Sequence, residues 1–117
     1  MATRNEVEKY LTDLKQKIKF FGILIWDDRS KNRQALLDLE ISPSQRKDEI
    51  LKLQPENYMQ GPIDEKMHGI LPMWVLGTMI KGKEVYIKVS MGVENSQAVC
   101  ISFHVAEFEM SYPLKTK

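Results

Sequence analysis

Glu84-Val85-Tyr86-Ile87-Lys88-Val89-Ser90-Met91 alternates apolar and polar side chains along most of its length. A period of two marks a β-strand with one buried and one open face. Val85, Ile87, Val89 and Met91 share the apolar face, and Tyr86, Lys88 and Ser90 share the other. Gln97 to Val105 reads as a second such strand, with Val99, Ile101 and Phe103 on its apolar face against Cys100, Ser102 and His104. Met73 to Ile80 is a further strand, joined to the first by a two-residue turn at Lys81-Gly82.

A slip of one residue would turn every side chain over, so the apolar faces restrict the register. A three-residue connection at Glu94-Asn95-Ser96 places Tyr86 opposite His104 and Lys88 opposite Ser102. The Lys81-Gly82 turn pairs Trp74, Leu76 and Thr78 with the Val85/Ile87/Val89 face. It leaves Gly77 beside Tyr86, with no side chain to crowd it.

Upstream of these strands the pattern is helical. Val7, Leu11, Leu14, Ile18 and Phe21 recur at helical steps, which predicts an amphipathic helix over about 3–20. Thr3-Arg4-Asn5-Glu6 has the capping-box form, and Gly22 ends the helix. Ile23 to Trp26 reads as a short buried strand closed by Asp27-Asp28. A second helix is expected over about 31–40, with Ala35, Leu36 and Leu39 inward. Ser42-Pro43-Ser44-Gln45 restarts a third, running to about Leu53. Pro55 to Leu71 reads mostly as loop, and Glu107 to Tyr112 as a further extended piece. Helices followed by consecutive strands predict an α+β fold: N-terminal helices packed on a small antiparallel C-terminal sheet, in a single domain over 1–117.

Composition bounds the class. With 43% apolar and 28% charged residues, the chain has the balance of a globular domain. Its longest apolar run, Phe20 to Trp26, is too short to span a bilayer, and no apolar signal segment follows Met1. Cys100 is the one cysteine, so no internal disulfide can form, which favours a reducing compartment. The expectation is a soluble, cytoplasmic protein without a membrane partner. A formal net charge of +1 argues against tight, non-specific nucleic-acid binding over the whole surface.

The face opposite the apolar one carries Tyr86, Lys88, Ser90, Ser102 and His104. It combines a cation, hydroxyls and an imidazole that can carry either charge state near neutral pH. That set suits phosphoryl chemistry, in which catalysis is positioning, charge stabilisation and proton transfer. A solvated sheet face accounts for the same residues from alternation alone. Met59, Met67, Met73 and Met79 fit core packing as gap fillers, or the lining of a partner groove. His68 and His104, with Asp64 and Glu107, lack the spacing of a zinc or two-histidine motif, and no metal or cofactor is expected.

Specific strings add to this reading. Trp74-Val75-Leu76-Gly77, Glu84 to Val89 and Cys100-Ile101-Ser102-Phe103-His104-Val105-Ala106-Glu107 resemble the sheet of the MqsR-like toxins. These belong to the RelE-like group of bacterial RNA-cleaving toxins. Asn32 to Ile41 and Asn57-Tyr58-Met59-Gln60-Gly61-Pro62 are also similar to that family, so the likeness extends over about 20–114. It implies a RelE-like fold and a metal-independent endoribonuclease that cuts mRNA by attack of the ribose 2′-OH on the adjacent phosphate. It also implies a partner: a cognate antitoxin protein, of a kind that can carry a zinc finger and a helix-turn-helix. Shared placement on the open face and the resemblance together give Tyr86, Lys88 and His104 as the catalytic set, with Gln60 and Ser102 binding substrate. Tyr86 matches the family tyrosine of a Tyr-x-Lys strand. His104 stands where the best-studied member has a lysine, and Gln60 stands where the family's loop more usually has one. The competing class is a non-catalytic protein-binding module that keeps the toxin-like fold.

Overall fold

The computed structural model describes residues 1–115. Thr3 caps the first helix, α1 (Arg4–Phe21), as its sequence requires. The Thr3 hydroxyl accepts the Glu6 N–H at 3.2 Å, and the Glu6 carboxylate accepts the Thr3 N–H at 2.9 Å. Val7, Leu11, Leu14 and Ile18 form its buried stripe. Gly22, at a φ of 86°, turns the chain out of the helix into β1 (Ile23–Ile25). Two short helices follow, α2 (Ser30–Asp38) and α3 (Pro43–Leu51). Ser42 and Gln45 form a second reciprocal cap at the start of α3.

Four strands complete the fold: β2 (Tyr58–Ile63), β3 (Met73–Ile80), β4 (Lys83–Ser90) and β5 (Ala98–Val105). The sheet order is β1-β5-β4-β3-β2. β2 to β5 pair antiparallel as neighbours, and β1 joins the far edge parallel to β5, with Leu24 opposite Val99. The architecture is α+β as expected, and its sheet is mixed because of β1. One apolar cluster joins Leu14 and Ile18 of α1, Ala35 of α2 and Ile50 of α3 to Leu76, Ile87 and Phe103 of the sheet.

Three local expectations are corrected. Residues 55–71 are not mostly loop, because Pro55–Asn57 makes one 3₁₀ turn and Tyr58–Ile63 is the edge strand β2. Gly61-Pro62 reads as a breaker, yet an edge strand tolerates proline because one side of its backbone needs no ladder bond. Glu107 to Tyr112 forms no strand. This segment instead meets the open face: Phe108 lies against Tyr86, and the Tyr112 hydroxyl donates to the Glu84 carboxylate at 2.9 Å.

The third correction concerns the faces of β5. Tyr86 pairs with His104 and Lys88 with Ser102, but Val89 then pairs with Cys100, leaving Ile101 as the extra residue of a bulge. Beyond that point the faces exchange. Cys100 and Ala98 join the helix-side core, while Val99 falls opposite Ser90. Ile101 is buried, at 2% exposure, but lies outside the helix-side cluster.

Candidate functional site

The side chains on the open face are placed by two transverse rows of the sheet. Gly77, Tyr86 and His104 form one row, and Gln60, Val75, Lys88 and Ser102 form the next. Because paired residues point to the same side, Tyr86, Lys88, Ser102 and His104 are neighbours. The rings of Tyr86 and His104 stack with centroids 5.3 Å apart and planes 14° from parallel. Lys88 Nζ sits over the Tyr86 ring, 5.8 Å from its centroid. Phe108 meets the Tyr86 ring edge-on at 5.6 Å.

Gln60 shares a row with Lys88 and Ser102 but stands on β2, with Val75 between it and Lys88. Two strand spacings separate Gln60 from Lys88, roughly 10 Å. The sheet therefore gathers Tyr86, Lys88, Ser102 and His104 and leaves Gln60 at the outer edge.

The electrostatics give each group a different capacity. Burial raises the Tyr86 phenol above its ordinary value, so at neutral pH it is a hydrogen-bond donor and not a base. Burial lowers the Lys88 ammonium, and the nearby Arg29 guanidinium lowers it further. His104 Nδ1 lies 3.0 Å from the Val105 carbonyl oxygen. With the proton on Nδ1 donated to that carbonyl, Nε2 is the free nitrogen.

A second group of residues belongs to this face, supplied by the segment between β1 and α2. A cleft of about 300 Å³ is lined by Arg29, Ser30, Lys31, Asn32, Ser102 and His104. Asn32 fastens this segment to β5. Its amide donates to the Ile101 and Trp26 carbonyls at 2.9 Å each, and its Oδ1 accepts the Phe103 N–H at 2.9 Å. Arg46 supports the same segment from α3, with two hydrogen bonds to the Asp27 carboxylate at 2.9 and 2.8 Å. Sequence reasoning missed Arg29, Lys31 and Asn32. The available signal was Arg29-Ser30-Lys31, two cations flanking a serine at a helix start, which on its own reads as an ordinary solvated surface.

His68 lies elsewhere, with its Nδ1 2.6 Å from the Glu65 carboxylate and its ring 4.9 Å from Trp26. Among the described residues, no three His, Cys, Asp or Glu side chains converge as a metal site. No helix of the described residues is long and apolar enough to cross a membrane. Cys100 is fully buried, and burial pushes its thiol up to about 12, which removes it from nucleophilic chemistry.

The chain matches no protein-family model, no curated protein and no solved structure.

Proposed function

We propose that the chain is a cytoplasmic, metal-independent endoribonuclease of the MqsR-like kind, acting through the Tyr86–Lys88–His104 face. The observation that carries this reading is the stack of His104 on Tyr86 at 5.3 Å with the Lys88 ammonium over the same ring. A proton carrier, a hydrogen-bond donor and a cation thus stand within the span of one phosphodiester.

In this mechanism the ribose 2′-OH attacks the adjacent phosphorus, its proton leaves to solvent water, and the P–O5′ bond breaks. The products are a 2′,3′-cyclic phosphate and a free 5′-hydroxyl. His104 acts in its imidazolium form, keeping Nδ1–H on the Val105 carbonyl and passing its Nε2 proton to the departing 5′-oxygen, the role an imidazole fills near pH 7. Tyr86 donates a hydrogen bond to a phosphoryl oxygen, consistent with a phenol that stays protonated. Lys88 offsets the charge that builds on the phosphoryl oxygens. Ser102, opposite Lys88, lines the adjoining cleft and contacts substrate there. Gln60 would reach only a more distant part of the strand.

The test is incubation of the purified chain with single-stranded RNA and with DNA of the same sequence. Cleavage of the RNA alone, ending in cyclic phosphate, supports the reading. Intact RNA at high enzyme concentration would remove it.

The proposal includes an antitoxin protein as partner. The outer edge of β1 favours such a partner, because it is an unpaired edge with Leu24 at 49% exposure and Phe20 nearby in sequence at 83%. The same edge suits a non-catalytic binding module. A complex with a partner and no RNA cleavage would favour that second reading.

A further inference from the structure

Arg29 and Lys88 are two cations on one face, and neither forms an ion pair among the described residues. Each is held instead against an aromatic ring: Arg29 Cζ lies 5.7 Å from the Trp26 centroid and Lys88 Nζ 5.8 Å from that of Tyr86. A guanidinium or ammonium over a ring face is attracted by the ring quadrupole, which leaves its outward side available to an anion. Lys31 extends the cluster from the first turn of α2. Among the described residues its carboxylate partner is Glu107, at 2.7 Å, in a pair whose side chains are 61% and 55% exposed. Such an exposed pair is weak and exchangeable.

The backbone adds donors at the same place. Arg29 occupies the N-cap of α2 and makes no side-chain cap. The N–H groups of Ser30 and Lys31 therefore have no intrahelical acceptor and no capping oxygen. The helix start is also the positive end of its dipole. A buried polar side chain faces the same cleft: Ser102 is 4% exposed, lines it, and makes no hydrogen bond through its hydroxyl among the described residues. An uncapped helix start, the unpaired Arg29 guanidinium, the weakly paired Lys31 ammonium and an unengaged hydroxyl thus surround one space of about 300 Å³.

We propose that this cleft seats a backbone phosphate of a single RNA strand, held by Arg29, Lys31, Ser102 and the first N–H groups of α2. His104 also lines this cleft, so the phosphate seated here adjoins the one at Tyr86, Lys88 and His104. The inference rests on the ribonuclease reading for the identity of the strand, but its contacts are separate from those that move protons. A chain with a net charge of only +1 would then hold RNA through a local set of cations, Arg29, Lys31 and Lys88, and not through its whole surface.

The experiment measures binding of an uncleavable 2′-O-methyl RNA 12-mer to the full chain over a range of salt. The chain is compared with Arg29→Ala/Lys31→Ala and with Lys31→Arg, and inorganic phosphate serves as a second probe. Both mutated residues are exposed, so the double variant should keep the parent's circular dichroism. The parent should bind the strand, with NMR shifts at the Ser30, Lys31 and Ser102 amides. The double variant should bind at least tenfold more weakly, with a salt slope shallower by roughly 0.7 for the one lost phosphate contact on a single strand. Lys31→Arg should keep the parent's slope. Affinity and slope unchanged in the double variant would overturn the proposal, as would shifts produced by inorganic phosphate and not by the strand. A parent that binds the 12-mer through these residues yet leaves ordinary RNA uncut would defeat the cleavage reading and support the phosphate seat. RNA cut normally by a double variant that binds like the parent would do the reverse.

Discussion

Asn32 Oδ1 accepts the Phe103 N–H at 2.9 Å, joining the first turn of α2 to β5 just past its bulge. The Asn32 amide donates to Ile101 on the near side of Ser102, so one side chain brackets the serine that lines the cleft. Asn32 is 1% exposed, so removing it leaves backbone groups without water to replace the lost bonds. Asn32→Ala is expected to cost about 3 kcal/mol, the scale of two or more buried polar groups left unsatisfied. Urea denaturation checks this. Asn32→Asp should be no better, because a second carboxylate oxygen would face the Ile101 and Trp26 carbonyls.

Gly77 permits the C-terminal segment to cross the open face. A Cβ there would collide with the Tyr112 hydroxyl and lie 2.7 Å from Met110 Cε. Gly77→Ala should therefore displace the segment, break the Tyr112–Glu84 hydrogen bond and cost about 1–3 kcal/mol, the range for an overpacked site. Faster hydrogen exchange over 107–115, with the sheet unchanged, is the expected signature. Uniform exchange across the chain would mean that the segment is not anchored at this point.

Alkaline stability should depend on Cys100. Its folded thiol is pushed up to about 12, above the ordinary thiol value that the unfolded chain would show. At neutral pH both states hold the proton and the thiol contributes no pH dependence. As pH rises past the unfolded value, the unfolded chain loses its proton first, so stability falls from about 8.5–9 up to about 12. Cys100→Ala should flatten that part of a stability–pH curve. The native thiol should also resist a thiol reagent at pH 8 until the chain is unfolded.

Much of this was legible in the sequence. Alternation and the short turn at Lys81-Gly82 paired Gly77 with Tyr86, and an expected three-residue connection at Glu94-Asn95-Ser96 paired Tyr86 with His104; both pairs hold, although the connection itself spans 91–97. The Lys88–Ser102 pair followed from the same parity. One extra residue at Ile101 then moved Cys100 into the core, because a bulge changes parity without any residue type that marks it. β2 was hidden by Gly61-Pro62, whose breaker character is harmless on an edge. Arg29 and Lys31 were illegible for another reason. Their proximity to His104 and Ser102 arises from Asn32, which contacts β5 from 69 and 71 residues away in sequence.

Glu107 should act as an internal competitor at the proposed phosphate seat. Its carboxyl is held below the ordinary range chiefly by the Lys31 hydrogen bond. A depressed carboxyl keeps this pair intact above the unfolded carboxyl value and loses it as pH falls through the folded one. The pair is therefore closed at pH 7. Glu107→Gln releases Lys31 and should tighten binding of the 2′-O-methyl 12-mer by about twofold to fivefold at pH 7 by fluorescence anisotropy, consistent with the modest worth of an exposed pair. The difference between variant and parent should vanish below the carboxyl range. Weaker binding by Glu107→Gln would place the strand elsewhere.

The sharpest expectation concerns proton transfer. His104 is partly buried, with Nδ1 beside the Val105 carbonyl, and its ring lies flat against Tyr86, so Nε2 is the atom able to meet a substrate. His104→Ala should slow RNA cleavage by roughly a hundredfold or more, the scale of a lost general acid or base, while leaving the fold intact. Tyr86→Phe keeps the ring that stacks on His104 and carries Lys88, and removes only the hydroxyl. It should lower kcat by roughly tenfold to a hundredfold, as expected for one lost charge-assisted hydrogen bond in the transition state. It should leave the pH profile unchanged, because a phenol raised by burial does not titrate in the working range. Lys88→Met tests the third member, and its loss should weaken kcat/KM more at low salt than at high salt. A two-variant comparison decides the matter. Parent-like cleavage by both His104→Ala and Tyr86→Phe would mean that the chemistry is not on this face, and the binding-module reading would then account better for the exposed β1 edge.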